Sequence, residues 1–118
     1  MIELDADPAL QPAAAAALIA AGVTDGHLAI EFVGPERMRE LNRAHRGIDR
    51  PTDVLSFPLD GTEAVAGPRE LGDVVICREY TSDVTEAVVH GVLHLCGYDH
   101  ETDGGEMLAL QDRVLAGL

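Results

Sequence analysis

The stretch from Asp83 to Gly97 constrains the fold more than any other part of this chain. Val84, Ala87, Val88, Leu95 and their neighbours make it apolar on most faces of a helix, and such a helix has to be central and buried. Its two histidines, His90 and His94, are therefore informative. Four residues apart, they stand on one helix face about one turn and roughly 6 Å of rise from each other, where two imidazoles can share one ion. A third histidine requires the chain to bend. Gly97 supplies the bend, because glycine readily takes the left-handed conformation that ends a helix, and His100 can then return toward the other two. Three neutral imidazoles leave one tetrahedral position open, the arrangement of a catalytic rather than a structural zinc site. A lone histidine on an apolar helix is usually a hydrogen-bonded core residue; three in this register point to a metal.

The spacing of His90, His94, Gly97 and His100 in HGVLHLCGYDH resembles the metzincin pattern HExxHxxGxxH. The exception is Gly91, which stands where those proteases carry their glutamate base. A peptidase without its base loses a rate factor of order 100-fold or more, so the same metal geometry points to another hydrolysis.

Around this helix the chain reads as one α+β domain over residues 1–118, a small mixed sheet packed with helices and a zincin-like (metzincin-like) metal helix. Hydrophobic residues are 47% and aromatics only 3%, so the core is aliphatic and a nucleic-acid platform built on stacking is poorly supplied. Asp7-Pro8 opens an alanine-rich helix to about Ala21. Leu28 to Val33 reads as a strand, and Pro35 starts a helix with a stripe of Met38, Leu41 and Ala44, ending near Arg46-Gly47. Asp53 to Phe57 and Asp73 to Cys77 read as strands and Asp60 to Glu70 as a surface loop. Thr102 is expected to cap a last helix carrying Met107, Leu108, Gln111, Val114 and Leu115.

The run Ala13 to Ala21 is too short to span a bilayer, and Glu3, Asp5 and Asp7 precede it where a signal peptide would be basic. The expectation is a cytoplasmic protein without a membrane partner. Cys77 and Cys96 lack CxxC spacing and read as two small buried side chains. The formal charge is −13, which taken whole opposes a polyanionic ligand. All eight basic residues are arginine, and five of them, Arg37, Arg39, Arg43, Arg46 and Arg50, face only Glu40 and Asp49 between positions 37 and 50. That segment carries +3 and leaves −16 on the rest. An anionic substrate must dock there.

HGVLHLCGYDH also resembles the signature of the YbeY family of bacterial endoribonucleases, which act in ribosomal RNA maturation and ribosome quality control. NRAHRGIDRPTDVLSFP (Asn42 to Pro58) and LGDVVIC (Leu71 to Cys77) are similar to that family's other motifs, in the same order, and the likeness covers roughly residues 28–116. The resemblance implies a zinc-dependent endoribonuclease specific for single strands, with one Zn2+ per chain held by His90, His94 and His100. Nickel, cobalt or copper would also suit such ligands. Ribosomal RNA is the implied substrate, with the ribosome or its proteins as partners. Arg46 matches an arginine regarded in the family as part of the active site, where a guanidinium can grip phosphate in two hydrogen bonds; read alone, it is a solvated arginine near a helix C-terminus. The chain departs from the family in two places: His45 stands where an aromatic is common, and Arg78 to Val89 is shorter than usual.

The acceptor of the first proton stays open between Asp53, Asp99 and a second metal-bound water, and a ribose hydroxyl is the alternative to water as nucleophile. Asp99 and Asp103 are the nearest candidates to orient the ligand histidines. The alternatives are a metallopeptidase and a zinc-stabilised ribosome-assembly module that cuts nothing.

Overall fold

The computed structural model describes residues 2–59 and 70–118. The expected loop from Asp60 falls outside the described residues, apart from Glu70, which opens a strand. In chain order the elements are β1 (Ile2–Asp5), α1 (Gln11–Ala20), β2 (Gly26–Phe32), α2 (Pro35–Arg46), β3 (Val54–Pro58), β4 (Glu70–Ile76), a 3-10 turn (Arg78–Tyr80), α3 (Val84–Leu95) and α4 (Glu106–Ala116). This is an α+β fold on a mixed four-stranded sheet of order β1-β2-β4-β3. β1, β2 and β4 run parallel, and β3 pairs antiparallel with β4.

Alternation along β4 divides the molecule, since successive side chains point to opposite faces. Val74 and Ile76 face the larger core with α1, α3 and α4. Val75 and Cys77 face the smaller one, where Met38, Leu41 and Leu55 meet them. The helix expected to be central is so: Val88, Val89, Val92 and Leu93 are wholly buried. Ala14 and Ala17 on α1 are buried in the same cluster, their small side chains keeping the two helices close.

Several elements differ from expectation. β1 was not foreseen; its four residues alternate half-buried and exposed, and its acids mask a short edge strand. α1 begins at Gln11, because Asp7 closes a turn first, its carbonyl accepting from Leu10 N at 2.8 Å. On α2 the buried partner of Met38 is Asn42, while Ala44 is exposed. Asn42 lies one turn after Met38 and its Nδ2 donates to the Arg50 carbonyl at 2.8 Å, fastening the loop into β3. Thr102 does not cap α4: the N-cap is Gly105, which uses no side chain, and Asp103, two residues earlier, accepts through Oδ2 from Met107 N in the first turn at 3.0 Å. Of the two cysteines, Cys77 is buried and Cys96 half-buried. No helix among the described residues is long and apolar enough to cross a membrane.

α3 lies on the sheet through Gly91. A Cβ at that position would stand 2.6 Å from Val74 Cγ1 and 3.0 Å from Val54 Cγ2, both on stiff β-branched side chains. Gly91→Ala sets a gain of about 1 kcal/mol in helix propensity against overpacking of about 1–3 kcal/mol. A net loss of up to about 2 kcal/mol is expected, toward the upper end because neither valine can swing away. Gly91→Glu should not fold. Urea denaturation of both variants checks this, and a Gly91→Ala protein more stable than wild type would contradict the contact.

Candidate metal centre and cleft

Asp83 caps the N-terminus of α3, its Oδ1 accepting from Glu86 N at 3.1 Å. The other end closes on Gly97, whose φ of 101° suits glycine. Gly97 N donates to the His94 carbonyl at 3.0 Å and Tyr98 N to the Leu93 carbonyl at 3.1 Å, the paired bonds of a Schellman motif. This turn brings His100 back over the helix. The ring centroids of His90 and His94 are 4.7 Å apart, and each lies 5.1 Å from that of His100. All three rings are half-buried, and each offers a nitrogen within 4.8 Å of the others.

The donor set fits a divalent transition ion. His90 Nδ1 lies 2.8 Å from Gln111 Oε1; an amide oxygen only accepts, so Nδ1 carries the proton and Nε2 is the free donor. His100 Nδ1 is buried without a hydrogen-bond partner among the described residues, a cost that coordination would remove. Burial, and then the neighbouring His90 and His100, hold His94 below the ordinary imidazole range. A metal needs that neutral form.

Neither carboxylate expected behind the histidines takes that part. Asp103 accepts from Gly105 N and Met107 N at the start of α4, and Asp99 Oδ1 accepts from Glu101 N at 3.0 Å. Gln111 takes the position beside His90. Its helical period made it look like one more core residue, yet it is a polar group only 6% exposed on an otherwise apolar stripe, and a buried polar group needs a partner. That was the available signal.

The histidines share a cleft of about 610 Å³ with Arg46, His45, Asp53, Asp99 and Glu101. Gly47 lets α2 stop in the left-handed conformation at φ 72°, which leaves Arg46 at the cleft rim. The rest of the arginine segment does not line the cleft. Arg39 is bound by Asp49 through two hydrogen bonds of 2.8 and 3.0 Å, and Arg37 pairs with Glu40 at 3.1 Å. The docking surface expected from five arginines is thus reduced at the cleft to Arg46. His45 lies against Phe57, ring centroids 4.5 Å apart.

A family model described as Endoribonuclease YbeY matches residues 5–118. The chain belongs to the YbeY family. Proteins named Endoribonuclease YbeY from Sulfurihydrogenibium sp. and Bacillus cytotoxicus are 43% and 41% identical to it, over 74% and 80% of this chain and 66% and 74% of theirs. The one from Aquifex aeolicus is 39% identical over 76% of this chain and 67% of its own. The chain thus spans about two thirds to three quarters of the length of these YbeY proteins. The solution structure of TM1509 from Thermotoga maritima is similar with a TM-score of 0.55 and 28% identity, covering 98% of this chain and 87% of that one. The alignment to the Sulfurihydrogenibium protein has 102 positions but covers 74% of 118 residues, about 87, so that YbeY protein carries about 15 more residues within the aligned span.

Two outcomes follow from this geometry. Gln111→Leu should weaken zinc affinity about 10- to 100-fold, as loss of an orienting hydrogen bond does at other sites, while leaving the fold intact; competition with a chelator measures it, and unchanged affinity would remove Gln111 from the site. The second concerns pH. Because His94 is harder to protonate when folded, the metal-free protein should be most stable above the unfolded imidazole pKa of about 6.5 and lose stability as pH falls through the lower folded value. His27 works in the opposite sense: its hydrogen bond to Glu70 raises its pKa, so its contribution is full below about 6.5 and fades as pH rises. Urea midpoints of the apo-protein between about pH 7.5 and 5 should fall on the acid side in wild type and less so in His94→Ala. Equal falls would show that another group governs acid stability.

Proposed function

We propose that this chain is a metal-dependent endoribonuclease that cleaves single-stranded RNA, with ribosomal RNA as substrate, the ribosome or its proteins as partners, and the cytoplasm as its place of action in ribosome maturation and quality control. One observation carries the reading: three imidazoles and one guanidinium, from α3, the following turn and α2, line a single cleft. In that cleft His90, His94 and His100 would hold one ion per chain, zinc by preference for a set of three nitrogens. When bound, such an ion supplies Lewis-acid polarisation of a phosphoryl oxygen and an activated water. Arg46 grips the same phosphate and offsets the charge that develops on it. Asp53 and Asp99 line the cleft as well, and the proton acceptor is drawn from these two carboxylates.

The peptidase alternative loses ground on Gly91. Its site faces Val74 and Val54 at contact distance, so a glutamate base has no room there.

Metal-loaded protein and apo-protein, each offered single-stranded RNA and casein, test the reading. RNA cleavage by the loaded protein alone is expected, with about one zinc bound per chain through nitrogen only. His94→Ala should lose metal and activity together. Arg46→Glu should keep metal and fold and lose cleavage by a factor of order 100 or more, as removal of a charge-stabilising group does. Casein cleavage, or metal binding without any nuclease activity, would turn the assignment to the peptidase or to an assembly module. Wild-type cleavage by Arg46→Glu would remove Arg46 from the site.

A further inference from the structure

We infer that Glu101 is a substrate-mimicking carboxylate: in the free protein it takes the seat on Arg46 that a phosphate takes when RNA is bound, and so it sets how tightly the cleft holds RNA. The inference rests on the proposed nuclease function and adds the group that limits substrate affinity.

Arg46 Nη2 and Glu101 Oε1 are 3.7 Å apart. The pair joins the end of α2 to the residue after His100, two segments that meet at this cleft. The paired arginines elsewhere in the segment, Arg37 and Arg39, find acids within the segment itself. Arg46 reaches across the cleft for its partner.

The three acids of the cleft are not equivalent. Asp53 Oδ1 accepts from Val54 N at 2.8 Å, and Asp99 Oδ1 accepts from Glu101 N, so local backbone holds both in place. The Glu101 carboxylate has Arg46 as its only partner among the described residues. Its side chain is 64% exposed and that of Arg46 46%, so the contact is wet and long, and exposed pairs of this kind contribute little stability. A phosphate offers the guanidinium a bidentate, charge-assisted contact and displaces the carboxylate. Glu101 is then left as a like charge beside the bound anion. The latch thus opens easily and taxes every anion that enters.

The test uses metal-loaded protein and a labelled single-stranded oligoribonucleotide followed by fluorescence anisotropy at about 0.1 M salt, where charges within about 10 Å still feel one another. Glu101→Gln should bind roughly 3- to 10-fold tighter than wild type. Asp112→Asn, an equal charge change on the exposed face of α4, should change affinity less than about 1.5-fold. In an Arg46→Gln background the gain from Glu101→Gln should fall to the level of the Asp112 control, because there is no longer a seat to vacate. A Glu101→Gln effect no larger than the control would overturn the inference, as would a gain that persists without Arg46. Loss of metal in Glu101→Gln, measured on the same samples, would do so too, by making Glu101 a support of the histidine turn. If wild type binds RNA and depends on Arg46 but not on Glu101, the latch alone fails; if wild type does not bind RNA at all, the nuclease reading fails and takes the latch with it.

Discussion

Everything at the cleft depends on how closely α3 approaches the sheet. Gly91 faces Val74 and Val54 with no room for a side chain, and its carbonyl accepts a hydrogen bond from Ser56 Oγ at 2.7 Å. That carbonyl serves a side chain of β3 from inside a buried helix, so the bond fixes both the height and the rotation of α3. His90 lies one residue before Gly91 and His94 three after it, and both face the cleft only while this register holds. The absent side chain is therefore a condition for the three-histidine cluster, because a larger residue would lift both imidazoles away from His100 and from the rim at Arg46.

The electrostatic logic of the cleft follows from that burial. His94 resists protonation, depressed first by burial and then by its two histidine neighbours. His94 is therefore held toward the neutral form that coordination of a cation requires. Beyond the histidines, one arginine faces Asp53, Asp99 and Glu101 in the cleft. A protein of net charge −13 thus keeps one of its eight guanidinium groups at the cleft, and the acidic surroundings disfavour anions that do not also engage the centre.

Sequence patterns disclosed the elements whose physical signal is local. The all-round apolarity of α3, the Pro35 start and Gly47 stop of α2, and the hydrophobic runs of β2, β3 and β4 all follow from short-range rules, and each element lies within a few residues of its expected limits. Where tertiary contact decides, the patterns misled. β1 is visible only through its pairing with β2. Asn42 is buried because the Arg50 carbonyl needs a donor, which no periodicity reveals. At the site, the spacing of the three histidines encodes their convergence, since one helix turn and one glycine bend suffice. Gln111 is 21 residues from His90, and only the packing of α4 on α3 makes it a neighbour. The arginine segment was legible as charge but not as function, because the internal pairing of Arg37 and Arg39 depends on side-chain reach.

The connection from β4 to α3, within the segment that reads as short for the family, also bears on the cleft. Residues 77–83 cover it with one 3-10 turn at Arg78–Tyr80. Asp53 ties it down: its backbone carbonyl accepts from Cys77 N at 2.9 Å and from Thr81 Oγ1 at 3.4 Å. The Arg78 guanidinium lies 3.9 Å over the Phe32 ring at the end of β2, a contact of about 0.5–1 kcal/mol at an exposed position. The start of β3, the end of β4 and the approach to α3 are thus gathered at one residue whose side chain lines the cleft. With its carbonyl held by both Cys77 and Thr81, the position of Asp53 is a consequence of chain closure. The connection thereby fixes one wall of the cleft.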